Sequence, residues 1–218
     1  MNRFDAVLFD LDGTLLYTLP DMREALNRAL TRYGHPVRTL EEVRSFVGNG
    51  VRKLVERALP PDAAADAEKV YRAYEEWYSL HGQDHVEYYP GVREMIAALR
   101  SRGIRTGVVT NKTHPDAAAM IEKFFGGAMD VTEGKRDGRP TKPSPESVWD
   151  ALDRLGVSRD RALYVGDSGV DAETAKNAGL ACVLVSWGYR DRRELERYRV
   201  LGVIDQAAEL LNYIKVEE

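Results

Sequence analysis

Four apolar residues, Ala6-Val7-Leu8-Phe9, run directly into Asp10-Leu11-Asp12-Gly13-Thr14. A short unbroken apolar run of this kind reads as a strand buried on both faces, the usual state of a strand in a parallel sheet. Gly13 then breaks the strand pattern. Side chains alternate along an extended backbone, so Asp10 and Asp12 are expected to point the same way at the strand's end. Two adjacent carboxylates repel, and that repulsion has to be compensated. A divalent cation does so, and hard oxygen donors favour Mg²⁺. The plainer alternative is an acidic turn after a strand.

From residue 86 onward, strand and helix patterns alternate. Val92, Met95, Ile96 and Leu99 form a helical stripe closed by Gly103. Thr106-Gly107-Val108-Val109-Thr110 reads as a strand and Pro115 to Phe125 as a helix. Ser144-Pro145-Glu146 opens another helix, which carries Val148, Leu152 and Leu155 on one face. Ala162-Leu163-Tyr164-Val165 is the next strand, followed by a helix from about Asp171 to Ala178 and the strand Ala181 to Val185. Such alternation predicts a parallel sheet with helices on both faces. Residues 17–84 break the rhythm, because no strand is evident there. Met22, Leu26, Ala29, Leu30 and Tyr33 suit one helix, and Thr39-Leu40-Glu41-Glu42 is a capping box that starts another. Val51 to Leu59 suits a further helix, and Val70, Tyr71, Tyr74, Trp77 and Tyr78 a longer one. The expected organisation is an α/β core, a Rossmann-like three-layer parallel sheet over residues 1–16 and 85–218. An all-helical domain, residues 17–84, is inserted after the first strand.

The 218 residues carry a formal net charge of −4, which gives no reason to expect nucleic acid or an anionic membrane as partner. No apolar stretch is long enough to span a membrane, and no signal-peptide pattern opens the chain, so a cytoplasmic location is the expectation. The lone cysteine, Cys182, lies inside an apolar run and reads as a core residue. No obligate protein partner is evident.

Ligands of open α/β sheets bind at the carboxyl ends of the strands. Asp10 stands at one such end, Thr110-Asn111 at a second, and Gly166-Asp167-Ser168 at a third, with Asp171 four residues beyond Asp167. Lys142 precedes the helix that opens at Ser144. Each residue has a plain reading: Thr110 as a strand-end hydroxyl, Lys142 as a solvated lysine, Asp171 as a helix cap, and Gly48-Asn49-Gly50 as a turn. Their joint placement at strand ends is what argues for chemistry. His81 and His85 have metal-ligand spacing, but no third ligand is evident and they are not read as a site. Arg190, Arg192, Arg193 and Arg197, interleaved with acids, read as a solvated face.

These residues resemble, in order, the four motifs of the haloacid dehalogenase superfamily, and within it the phosphoglycolate phosphatase-like branch. The matches are Asp10-Leu11-Asp12-Gly13-Thr14-Leu15, Val109-Thr110-Asn111-Lys112, Lys142-Pro143-Ser144-Pro145, and Gly166-Asp167-Ser168 through Asp171. Val47-Gly48-Asn49-Gly50-Val51 resembles the branch's cap loop; Tyr17 departs from it, where an acidic residue is usual.

The resemblance implies a Mg²⁺-dependent phosphatase acting on a small phosphorylated metabolite, phosphoglycolate first among them. Asp10 would be the nucleophile and Asp12 the general acid/base. Asp10, the main-chain carbonyl of Asp12, and Asp167 would hold the metal. Lys142 would supply further positive charge. Thr110, Asn111 and Gly13 would contact the phosphate, and Asp171 would support the metal ligands. The helical insert would cover the site, bringing Gly48, Asn49, Gly50 and Arg52 to the substrate, with Arg52 able to pair with a carboxylate. A phosphosugar mutase and a pyrophosphatase are the alternatives on this fold. A dehalogenase needs neither Asp12 nor a metal, and a non-catalytic binding protein would not need the whole set.

Overall fold

The computed structural model describes residues 3–214. The strands are β1 (Ala6–Phe9), β2 (Leu16–Tyr17), β3 (Glu87–Tyr88), β4 (Arg105–Thr113), β5 (Val131–Lys135), β6 (Ala162–Gly166), β7 (Ala181–Val185) and β8 (Gly202–Ile204). The helices are α1 (Leu19–Arg32), α2 (Leu40–Phe46), α3 (Val51–Ala58), α4 (Ala67–His81), α5 (Val92–Ser101), α6 (His114–Phe125), α7 (Glu146–Leu155), α8 (Gly169–Ala178), α9 (Arg192–Leu195) and α10 (Leu210–Ile214). They fall into two compact units: Met1–Leu15 with Tyr88–Glu218, and Leu16–Glu87.

The first unit is built on a six-stranded sheet in the order β5-β4-β1-β6-β7-β8. All its pairings are parallel, as the alternation of strands and helices predicts. β1 lies between β4 and β6, and its four residues are fully buried. Leu8, Tyr164 and Leu184 share one face of the sheet with α7 and α8, through Val148, Leu152, Leu155, Ala172 and Ala175. α5 packs on β4, and α10 packs on α5. In register, Phe9 stands beside Val108 on one side and Val165 on the other. The ends of β4, β1 and β6 are therefore neighbours, and whatever follows each strand converges.

Two sheet strands were not legible in the sequence, and both are edges. β5 reads Val-Thr-Glu-Gly-Lys and β8 is three residues long, so neither shows the apolar run of a central strand. Cys182 is buried in β7, and burial pushes its thiol pKa up, away from nucleophilic use. Among the described residues, no helix is long and apolar enough to cross a membrane.

The second unit packs α1, α2, α3 and α4 together. Its buried residues include Leu26, Leu30, Val43, Leu54, Val55, Val70, Tyr74 and Tyr78. Thr39 and Glu42 form the capping box at the start of α2: Glu42 N donates to Thr39 Oγ1 at 3.2 Å, and Thr39 N donates to Glu42 Oε2 at 2.7 Å. The expectation of no strand needs one correction. The two-residue strands β2 and β3 pair with each other, and residues 86–91, read as a linker, contain β3. Two residues are too few for a period-2 pattern to register.

Candidate active site

β1 ends at Phe9, and the backbone of Asp10 is fixed by its N–H, which donates to Val165 O on β6 at 2.9 Å. The two aspartates that follow the strand each meet a lysine. Lys142 Nζ lies 2.8 Å from Asp10 Oδ1, and Lys112 Nζ lies 3.3 Å from Asp12 Oδ2. Three of these four residues are buried: Asp10 is 8% exposed, Lys142 6% and Lys112 8%.

Lys142 is the hub. Its ammonium also donates to Asp171 Oδ1 at 2.7 Å and to the Tyr164 hydroxyl at 3.1 Å, so its three N–H bonds have three acceptors. The Tyr164 hydroxyl in turn donates to Val109 O at 3.0 Å, which turns a lone pair toward Lys142. Burial alone would push the ammonium's pKa down, but Asp10 and Asp171 outweigh it and hold Lys142 well above the ordinary lysine value. Asp10 is pushed up to about 7, chiefly by burial; Lys142 pulls it down, and Asp171 and Asp12 push it up.

Asp167, 3% exposed, follows β6. Its Oδ2 accepts from Tyr189 N at 2.7 Å. Burial, then the charges of Asp171 and Asp10, hold its pKa well above the usual carboxylate range. Two glycines let the chain close on it. A Cβ at Gly13, whose φ is +91°, or at Gly188 would collide with the Asp167 carboxylate. Trp187 Nε1 donates to Thr14 O at 3.0 Å, so the segment after β7 also ties down the segment after β1.

Asp171 does both things its position allows. Its Oδ2 accepts from Ser168 N at 3.1 Å and Ser168 Oγ at 2.6 Å, capping α8, while its Oδ1 holds Lys142. Carboxylate oxygens of Asp10, Asp167 and Asp171 lie within 4.8 Å of one another. Asp12's carboxylate is not part of this cluster; its Oδ2 faces Lys112. The residues fit a small divalent cation on their own chemistry. The donors are hard oxygens, and burial disfavours the ionised forms of Asp10 and Asp167, a cost a nearby cation relieves. Three carboxylates (Asp10, Asp12, Asp171) contact two ammoniums (Lys112, Lys142), while Asp167 accepts from a backbone N–H.

Gly13, Thr110, Asn111, Lys142, Asp167 and Asp171 thus join Asp10 and Asp12 in the first unit. Asn111 meets the backbone of Lys142. Its Oδ1 accepts from Lys142 N at 2.8 Å and its Nδ2 donates to Lys142 O at 3.3 Å, so its carboxamide clamps the Lys142 backbone. Thr110 is buried, and its Oγ1 accepts from Lys112 N at 3.2 Å.

Gly48, Asn49, Gly50 and Arg52 belong to the second unit. Asn49 Oδ1 accepts from Arg57 Nη2 at 2.6 Å. Arg52 pairs with Glu68 Oε2 at 2.6 Å and lies 4.0 Å from the Tyr71 ring centroid. It already has an anionic partner in its own unit. His81 pairs with Asp84 and His85 with Asp21.

Arg190 corrects the solvated-face reading: its side chain is 18% exposed, and its charge pulls Asp167 down. Arg192 remains a half-exposed surface ion pair with Glu196 and Asp205. Sequence reasoning missed three contributors. Lys112 had a signal, since alternation along the strand puts it on the face of Thr110. Tyr164 had a weaker one, as the sole hydroxyl in an apolar strand. Tyr189 acts through its backbone N–H, which no sequence pattern announces.

The family model described as haloacid dehalogenase-like hydrolase matches residues 7–185. A phosphoglycolate phosphatase of Rhodospirillum rubrum is 37% identical over 221 residues, covering 96% of this chain and 90% of that protein. One of Pseudomonas savastanoi pv. phaseolicola is 35% identical over 211 residues, covering 94% of this chain and 78% of the other. A crystal structure from Lactobacillus delbrueckii subsp. bulgaricus, provisionally described as a phosphoglycolate phosphatase, superposes with a TM-score of 0.92 at 28% identity. It covers 97% of this chain and 99% of that one.

Proposed function

Because the chain belongs to the haloacid dehalogenase-like hydrolase family, we propose that it is a Mg²⁺-dependent phosphatase that hydrolyses a small phosphomonoester through an aspartyl-phosphate on Asp10. The observation that carries this reading is the buried Lys142 ammonium between Asp10 and Asp171, with Asp167 beside them. A nucleophilic carboxylate must be ionised, yet Asp10 is raised to about 7, chiefly by burial, even with Lys142 lowering it. Lys142 favours the ionised form and at the same time fixes one oxygen of it.

Asp10 attacks phosphorus, and the bond from phosphorus to the leaving oxygen breaks. Asp12 gives that oxygen its proton; water then attacks the phosphorus, the bond from phosphorus to the Asp10 oxygen breaks, inorganic phosphate leaves, and Asp12 takes a proton back from the water. The Thr110 hydroxyl is a donor for the phosphoryl oxygens, and Asn111 serves the reaction by holding Lys142's backbone in place. Asp10, Asp167 and the main-chain carbonyl of Asp12 are the residues to hold Mg²⁺, with Asp171 as support. When bound, Mg²⁺ neutralises and orients the phosphoryl oxygens. Residues 17–84 serve as the cap that selects the substrate.

Phosphoglycolate is the substrate to try first, on the strength of relatives that carry that name. Arg52 lends it less support than its sequence position suggests, because Glu68 already occupies its guanidinium. The test is phosphate release from phosphoglycolate, other small phosphomonoesters and pyrophosphate, with Mg²⁺ and with excess chelator. The expected result is Mg²⁺-dependent release, strongest on one small monoester. Release unaffected by chelator, or intramolecular transfer on a sugar phosphate without release, overturns the reading.

A further inference from the structure

The two aspartates after β1 have separate lysines, and only Lys142 is accounted for by the mechanism above. Lys112 lies near the end of β4, where the register against β5 shifts between Val109 and Thr113. Irregularities of this kind re-aim side chains next to functional sites. Here the result is a lysine whose side chain is 5% exposed, 3.3 Å from the carboxylate of Asp12, itself 12% exposed. A surface lysine keeps its ammonium in water, and burying one without a partner is unfavourable. The pairing is held at both ends. Lys112 N donates to Thr110 Oγ1, and Asp12 is followed by Gly13, packed against Asp167.

We propose that Lys112 positions Asp12 for proton transfer, and thereby sets how well the enzyme works on esters with poor leaving groups. This rests on the phosphatase reading above. In that reading Asp12 moves a proton twice per turnover, to the leaving oxygen and from water, so its carboxylate has to be in place at both steps. General acid/base catalysis depends on such placement within hydrogen-bond reach. A carboxylate on a loop beyond a strand end has freedom to rotate away, and an ion pair to a lysine on the neighbouring strand removes much of it. Lys142 cannot do this as well, because its three donors are committed to Asp10, Asp171 and Tyr164.

The arrangement predicts a pattern that a purely structural ion pair would not give. Lys112→Met should lower kcat on alkyl phosphates, whose leaving oxygens need a proton, by about 10- to 100-fold, part of the full contribution of a general acid. KM should stay within about 3-fold. On p-nitrophenyl phosphate, whose leaving group departs unprotonated, kcat/KM, which reports only the steps through departure of the leaving group, should change by less than about 3-fold. In the Asp12→Asn background, adding Lys112→Met should cost little more, because the residue it positions is already gone.

The experiment is steady-state kinetics of wild type, Lys112→Met, Asp12→Asn and the double variant, with Mg²⁺. The substrates are p-nitrophenyl phosphate, glycerol 3-phosphate and phosphoglycolate, with circular dichroism to establish folding. Equal losses of kcat/KM on all three substrates overturn the proposal and leave Lys112 a packing role. A loss confined to KM for phosphoglycolate overturns it too, and makes Lys112 a receiver of the substrate's carboxylate. A wild type silent on all three contradicts the phosphatase reading, not this one. Crystal structures of wild type and Lys112→Met decide independently of activity: an Asp12 side chain unmoved and equally ordered without Lys112 refutes the positioning role.

Discussion

Replacing Lys142 by Met is the sharpest perturbation of the site's electrostatics. The side chain is 4% exposed, and its ammonium is shared between Asp10 and Asp171, so the substitution leaves two buried carboxylates facing each other with Asp167 alongside. Removing one partner of a buried ion pair costs about 3–5 kcal/mol, much of it the penalty of the charge left behind. For a chain of this size, each kcal/mol moves Tm by about 2–4 °C, so a fall of roughly 6–20 °C is expected in metal-free buffer at pH 8. The loss should depend on pH in a definite direction. Asp10 is raised to about 7 with Lys142 present, and rises further without it. A group whose folded pKa lies above its unfolded value near 3.9 binds more protons when folded, so its contribution to stability falls as pH climbs through that interval. Lys142→Met should therefore be much less destabilised at pH 5.5, where a protonated Asp10 needs no counter-ion, than at pH 8. Thermal melts of both proteins by circular dichroism at the two pH values, with chelator, make the measurement. A Tm within 2 °C of wild type at pH 8, or a deficit that grows toward acid, would show that Lys142 is not the counter-ion of these carboxylates.

Mg²⁺ should raise the Tm of the wild type more at pH 8 than at pH 5.5, because below the raised Asp10 and Asp167 values protons compete for the same oxygens; a calorimetric scan with and without metal checks it. Tyr164→Phe removes the hydroxyl that accepts from Lys142 and donates to Val109, and should cost about 1–3 kcal/mol in urea unfolding along with a drop in kcat; unchanged kcat would mean the hydroxyl does not hold Lys142. His85 donates its backbone N–H to Asp21 and pairs with it through the ring, and the hydrogen bond its ring donates to the Asp21 carboxylate raises its pKa. The contribution is complete below the unfolded value near 6.5 and is lost as pH rises through the folded one. In an NMR titration, Asp21→Asn should return His85 toward 6.5, and an identical titration curve would refute the pairing.

What the sequence made legible follows from how the physics is written into it. β1, β4, β6 and β7 are buried on both faces and appear as apolar runs, so the centre of the sheet and the residues at its strand ends could be read directly. β5 and β8 are edges with mixed composition, and β2 and β3 are two residues long, so nothing in a local pattern marks them. Asp10, Asp167, Asp171 and Lys142 were identifiable as types at strand ends and in one loop. The division of labour among them was not. That Asn111 clamps Lys142's backbone, that Arg190 acts on Asp167, and that Arg52 is already paired with Glu68 depend on side-chain directions set by tertiary packing. The same holds for Tyr189, whose contribution is a backbone N–H.

The central claim is that Asp10 carries the phosphoryl group. The most direct measurement is to quench the enzyme in acid during turnover with Mg²⁺, treat it with borohydride, which reduces an acyl phosphate at aspartate to homoserine, and map the peptides by mass spectrometry. The account predicts homoserine at position 10, dependent on substrate and absent from an Asp10→Asn variant that folds normally and does not turn over. Reduction at another carboxylate, or undiminished turnover by Asp10→Asn, would contradict it.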